Sequence, residues 1–338
     1  MTIKEIAEMT GLSTATVSRA LDPRYSAMLR ESTRKKVLAV AEKYNYRPVI
    51  IGKSFVTGKT YKIGLILDTM TADLSSPVFS RFIEAVCADL QTHNYTLVLL
   101  LAKDASRHGG ANVRELLESK VADGYIFGKS MVFESVRKAL DKTPIVLLSE
   151  DGISEPMPWI QIRRSIVSGY RAMWRLIPPD LRRSVAIVAP ENKYNSCRSR
   201  VRLIAAAAPE NAEVKNFFVK MRPGFLVDRI NASTAAEEYF DELRKYKVIW
   251  GFSDLYALGV MDTFRRRGLI PGKDFYLLGL DNLEPDLPGV QPILTTCDLR
   301  WDEIGRLAAR TVLKLIAGET VPENELTVKP KLVRRTSL

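Results

Sequence analysis

The sequence predicts a chain in two parts: an all-α helix-turn-helix headpiece at the N-terminal end, followed by an α/β core built on parallel sheets. Three observations carry this. Residues 1–46 hold three apolar-periodic stretches of helical spacing, separated by turn signals. From Lys62 onward the runs KIGLILD, YTLVLLL, DGYIFG, PIVLLS, SVAIVAP, VIWGFSD and FYLLGLDN alternate with helix-length segments, and continuous apolar runs suit strands buried on both faces. Charge is also uneven: of a net +11, +6 falls in the first 60 residues, where eleven basic side chains face five acidic ones. A small basic unit suits a polyanion, although a basic surface alone serves solubility equally well.

The headpiece is expected over residues 1–46. Thr2 is placed to cap the first helix, with Glu5 completing a Thr-x-x-Glu box, and Ile3, Ile6, Ala7 and Met9 or Thr10 turned inward. Gly11 supplies the sharp turn, Leu12 pins it to the core, and Ser13 caps a second helix whose Val17 and Leu21 share the inner face. A third helix is expected from Glu31 to Tyr44, with Val37, Leu38 and Ala41 inward, ending before Pro48. In such a unit the second helix enters the major groove. Thr14, Ala15 and Thr16 are small enough for close approach to base edges, and Arg19 can grip guanine O6 and N7 together. The competing reading is that the hydroxyls bind only backbone and solvent.

Residues 47–61 read as a linker. Val49, Ile50 and Ile51 are β-branched and Gly52 is flexible, so this stretch makes a poor autonomous helix.

The segments TIKEIAEMTGLSTATVSRAL and STRKKVLAVAEKYNYRP resemble the DNA-binding headpiece of the LacI/GalR family of bacterial transcription regulators. The likeness is dense over the first 60 residues and returns in patches further on. It implies that Thr14, Ala15 and Arg19 read bases, and that Thr16, Ser18 and Thr2 hold the DNA backbone. The loop DPRYSAML is slightly longer than the family's usual one. The linker becomes a hinge helix that orders on operator DNA beside its twin, and Phe55 takes the place of the leucine wedged into the minor groove, a role an aromatic can fill. The core, residues 62–338, is implied to be periplasmic-binding-protein-like, with two lobes joined by crossovers near residues 160, 290 and 322. The partners implied are double-stranded operator DNA, a second copy of the chain and a small effector.

Ligands of open α/β sheets bind beyond the carboxyl ends of the strands. By the same resemblance, Asp281 in GLDN would accept hydrogen bonds from ligand hydroxyls and Arg200 in CRSRVRLI would fork onto the ligand. Ser253 in FSD matches a polar cleft position, with Asp254 beside it as a helix cap. Ser75 and Ser76, before Pro77, approach the cleft from the first lobe, and Ser149 stands where many members have aspartate. The core also departs from the family: Arg163, Arg164 and Ser165 replace an Asp-Asn pair. Acidic groups lost and arginines gained favour an anionic or phosphorylated ligand over a neutral sugar or sugar derivative, unless these arginines face solvent.

Other classes fit less well. Cys87, Cys197 and Cys297 are too far apart for a CxxC signature, and His93 and His108 stand in no metal-spaced motif. Neither nucleotide-binding glycine fingerprint, nor a nucleophile elbow, is present, so no cofactor and no enzymatic activity are expected. No membrane-spanning run or export signal is read, which points to the cytoplasm. The ending LVRRTSL lacks a leucine heptad, so a homodimer is expected rather than a tetramer. The alternative is an α/β sugar-binding or sugar-processing protein with a vestigial headpiece, which leaves residues 1–60 unexplained.

Overall fold

The computed structural model describes residues 1–22, 25, 28–46, 57–68, 77–102, 110–128, 131–132, 136, 143–150, 159–191, 195–220, 229–287, 289 and 291–338. It divides into two compact units, Met1–Tyr61 and Lys62–Leu338. The linker residues 47–56, Phe55 included, and Ser75 and Ser76 lie outside the described residues.

In the first unit, α1 (Ile3–Thr10) begins on the expected capping box. The Thr2 hydroxyl accepts the Glu5 N–H at 3.3 Å, and the Glu5 carboxylate accepts the Thr2 N–H at 2.6 Å. Gly11 ends the helix at φ 63°, a left-handed conformation that glycine adopts without cost. Ser13 then caps α2 (Thr14–Leu21) by accepting the Thr16 N–H at 3.1 Å. With α3 (Glu31–Lys43) these helices close over Ile6, Ala7, Val17, Ala20, Val37 and Ala41.

Tertiary packing decides between Met9 and Thr10 on α1, and one inward position, Leu38 on α3, differs from expectation. On α1 it is Thr10 that is buried, its hydroxyl donating to the Ile6 carbonyl at 2.7 Å, while Met9 is 52% exposed. On α3, Leu38 is 38% exposed and Val40 packs on the cluster instead. Val37 and Ala41, four apart, fix the inner face, and the next residue turns about 100° away from it.

The second unit runs β1 (Lys62–Asp68), α4 (Pro77–Thr92), β2 (Thr96–Ala102), α5 (Ala111–Glu118), β3 (Gly124–Gly128), β4 (Ile145–Glu150) and β5 (Ile160–Arg164). It continues through α6 (Ile166–Leu176), β6 (Val185–Glu191), α7 (Asn195–Ala206), β7 (Val214–Lys220), α8 (Arg229–Glu238), α9 (Phe240–Leu243), β8 (Val248–Gly251), α10 (Asp254–Arg266) and β9 (Tyr276–Leu280). Then follow β10 (Thr295–Asp298), α11 (Trp301–Ile316), β11 (Glu325–Val328) and β12 (Lys331–Val333). One sheet has the order β11-β5-β4-β3-β1-β2 and the other β12-β10-β9-β8-β6-β7. All pairings are parallel except β10 with β12.

Each sheet is the centre of a lobe. The chain passes between lobes at Ser165, at Leu299 and Arg300, and at Lys329 and Pro330, each somewhat beyond the expected position. The second lobe packs Tyr170 and Trp174 of α6 against Trp250 of β8, with ring centroids 6.0 and 5.7 Å apart. In the first, α11 lies along α4, where Phe82 meets Trp301 edge to face at 6.2 Å. Aromatic packing of this kind fixes α11, and hence Trp301, at the mouth between the lobes.

Candidate nucleic-acid interface and effector cleft

Burial of Val17 and Ala20 decides which face of α2 is left for a partner. Thr14, Ala15, Ser18 and Arg19 are exposed together, while Thr16 is half-buried with its hydroxyl 2.9 Å from that of Ser13. Glycine turn, capped second helix and short outer side chains give a surface that can enter a groove 12 Å wide. Thr2 is exposed at the start of α1, its hydroxyl already engaged by the capping box.

In the core, the carboxyl ends of β4, β5, β8 and β9 converge. Glu150 and Arg164, the last residues of β4 and β5, are neighbours in register and form an ion pair. The Arg164 guanidinium also lies 4.1 Å above the Trp301 ring. The indole N–H of Trp301 in turn donates to the Asp281 carboxylate at 3.3 Å. Arg200 of α7 stacks on Phe252 at 4.6 Å. The sites of the two lobes are thus linked through Glu150, Arg164, Trp301 and Asp281 in sequence.

The electrostatics follow from this arrangement. Arg164 holds the Glu150 carboxyl below the ordinary carboxylate range against the opposing effect of burial, with Arg200 adding to the lowering. Burial pushes Asp281 up, while Arg200, the Trp301 hydrogen bond and Arg164 oppose the rise. The Tyr170 phenol is fully buried without a hydrogen-bond partner, and burial raises it well above the usual phenol range. Its hydroxyl feels Arg200, Glu150 and Asp281, so it belongs to the same polar cluster.

Asp281 and Asn282 have φ of 96° and 56°, a left-handed pair that L-residues seldom adopt and that must be held in place. Arg81 of α4 donates to their carbonyls at 3.2 and 2.6 Å and pairs with Asp286. From the other side Asp254, wholly buried, accepts the Leu283 N–H and the Thr296 hydroxyl, both at 2.6 Å. Burial pushes the Asp254 carboxyl up to about 8. Gly279 makes this possible, because a Cβ there would lie 2.1 Å from an Asp254 oxygen.

The helix cap expected of Asp254 is supplied by Ser253 instead. Ser253 caps α10, accepting the Tyr256 N–H at 3.4 Å, and Asp254 braces the loop that carries Asp281. Ser149 is buried and pairs in register with Arg163 on the opposite pleat from Glu150. Arg163 itself runs to Glu325 of β11 at 3.0 Å. The acid at the cleft is thus Glu150, one residue along, and a single step reverses the face of a strand. The expected loss of acidic groups beside new arginines is corrected accordingly, since Glu150 balances Arg164. Asp281 and Arg200 do come together. Glu150, Tyr170, Trp301 and Arg81 are not found by sequence reasoning; only the polar residue closing the apolar run of β4 signals any of them.

Residues 2–49 match the model of the bacterial regulatory proteins of the lacI family, and residues 182–338 that of the periplasmic binding protein-like domain. The headpiece is a lacI-family DNA-binding domain. The chain is similar along its whole length to the HTH-type transcriptional repressor PurR of Vibrio vulnificus, 27% identical over 341 residues, covering 100% of this chain and 98% of that one. The ribose operon repressor of Escherichia coli K12 is 23% identical over 345 residues, with 99% of each chain covered. Among solved structures, the lac repressor dimer bound to operator and the anti-inducer ONPF superposes with a TM-score of 0.79 at 20% identity, covering 100% of this chain and 99% of the other. A LacI-family regulator from Silicibacter pomeroyi gives 0.74 at 21% identity, with the same coverage.

Proposed function

We propose that this protein is a transcriptional repressor that binds a two-fold symmetric DNA site as a homodimer and is regulated by a small hydroxyl-bearing ligand in the cleft. The observation that carries the DNA reading is the outward face of α2 on a basic, capped unit matching the lacI family over residues 2–49. Thr14, Ala15 and Arg19 read bases, Thr16, Ser18 and Thr2 lie toward phosphates, and Phe55 is the minor-groove wedge. The relatives are repressors by name rather than enzymes, and the lac repressor structure holds operator and anti-inducer in one dimer, which supports both partners. No described helix is long and apolar enough to cross a membrane; the proposed place of action is the cytoplasm, where the DNA is.

In the cleft, Asp281 and Arg200 of one lobe face Glu150 and Arg164 of the other, so a ligand bridging them alters how the lobes meet. Coupling to DNA then requires only different affinity in the two lobe arrangements. The test is selection of bound sequences from random duplex DNA by the full-length chain at moderate salt, which suppresses non-specific phosphate binding. A symmetric site with a deformable centre is expected, and Arg19→Ala should weaken discrimination at one base position of each half-site. Retained discrimination in that variant would remove Arg19 from base reading, and no enrichment with the wild type would reject the repressor reading.

A further inference from the structure

Among the described residues, each cation at the cleft has an anion close by. Arg164 lies against Glu150, its register partner, and is kept there by stacking on Trp301. Asp281 feels both Arg200 and Arg164, and Glu150 feels the same two arginines. Among the buried polar atoms here without a hydrogen-bond partner are the Arg164 Nε, the Ser149 hydroxyl and the neutral Tyr170 hydroxyl, the last of which feels the charges of Arg200, Glu150 and Asp281. A buried hydroxyl without a partner is costly, and a ligand hydroxyl would satisfy it. An anionic ligand would meet the Glu150 carboxylate on the arginine it needs, and displacing Glu150 would strand a partly buried charge.

We propose that Glu150 is a built-in counter-ion: it occupies the anion position of Arg164, so that the cleft accepts an uncharged hydroxyl-bearing ligand on Tyr170 and Asp281 and rejects its phosphorylated or carboxylated forms. The proposal rests on the effector reading above and assigns the selection between neutral and charged ligands to one residue. It acts by exclusion, since specificity is a difference between affinities and a misplaced charge is an efficient way to create one.

The probe is inorganic phosphate, titrated calorimetrically into the full-length protein against chloride at equal ionic strength. Because the basic headpiece also attracts phosphate, the quantity read is the part of the binding that depends on Arg164. Wild type and Arg164→Gln should bind phosphate alike. Glu150→Gln, which keeps the side-chain shape and removes the charge, should gain a component at least about tenfold tighter, lost again in Glu150→Gln/Arg164→Gln. Phosphate binding by the wild type that falls in Arg164→Gln would overturn the proposal, as would a folded Glu150→Gln that gains nothing. If Glu150→Gln does not fold, the comparison of wild type with Arg164→Gln still decides. The effector reading fails separately: a neutral sugar that releases DNA from the wild type and from Asp281→Asn equally would place the effector elsewhere and leave the phosphate result standing.

Discussion

Arg81 is the side chain that joins α4 to the loop carrying Asp281, and its removal has a size that the geometry sets. Arg81→Met keeps most of the aliphatic stem and deletes three interactions: bonds to the carbonyls of Asp281 and Asn282 at 3.2 and 2.6 Å and the ion pair with Asp286. A hydrogen bond from a charged donor contributes about 1.5–3 kcal/mol, and the longer of these two belongs at the lower end. The pair with Asp286 is partly open to solvent, so screening holds it to about 1 kcal/mol or less. The expected loss is therefore about 3–5 kcal/mol, concentrated in a loop whose two consecutive positive φ values already cost energy. The assay is native-state hydrogen exchange at the amides of Asn282 and Leu283, which bond to Thr296 and Asp254. At 1.4 kcal/mol per factor of ten, exchange there should quicken at least about a hundredfold, with little change in the middle of β6. Exchange within about threefold of the wild type would show that Arg81 does not hold the loop.

Two further substitutions test other parts of the argument. Ser13→Ala removes the cap of α2 and should cost the headpiece about 1 kcal/mol, recovered by Ser13→Asp, when headpiece melting is followed by circular dichroism. Melting unchanged by Ser13→Ala would show that the cap does not order α2. Asp254→Asn tests the buried carboxyl. Because its folded value is raised from 3.8 to about 8, the folded chain holds a proton that the unfolded chain releases across that interval. The contribution is fully present below about pH 4 and is lost as pH rises through about 8. Core Tm should therefore fall more steeply between pH 5 and 9 in the wild type than in Asp254→Asn, and parallel slopes would refute the raised value.

The headpiece was legible because its determinants are local. Thr2 with Glu5, Gly11 and Ser13 each act within a few residues, and the inner face repeats at helical spacing, so only Leu38 and the choice between Met9 and Thr10 depended on tertiary packing. The central strands were legible for a related reason: β3, β8 and β9, and β6 up to its last residue Glu191, are apolar because both of their faces are covered. The peripheral β7, with VKNFFVK, and the short β10, β11 and β12 carry no such signal. At the cleft, Asp281 and Arg200 could be proposed by resemblance, whereas Glu150 could not. Whether Ser149 or Glu150 reaches the cleft depends on strand register, and register is settled by partners far away in sequence. Arg81 and Asp281 are 200 residues apart, so no local pattern could have joined them.

The three passages between lobes also order events during synthesis. The headpiece has every residue of its apolar cluster once Tyr46 has been made. Neither lobe reaches that condition until much later. The first sheet lacks its edge strand until Val328, and the second lacks β12 until Val333, while Ser337 still has to bond the Leu277 carbonyl at 2.6 Å and the Thr295 amide at 2.7 Å. A ribosome carrying an unfinished chain therefore displays a complete DNA-reading unit ahead of a regulatory core that cannot yet close. Premature termination within the core would leave that unit intact, attached to lobes unable to respond to any ligand.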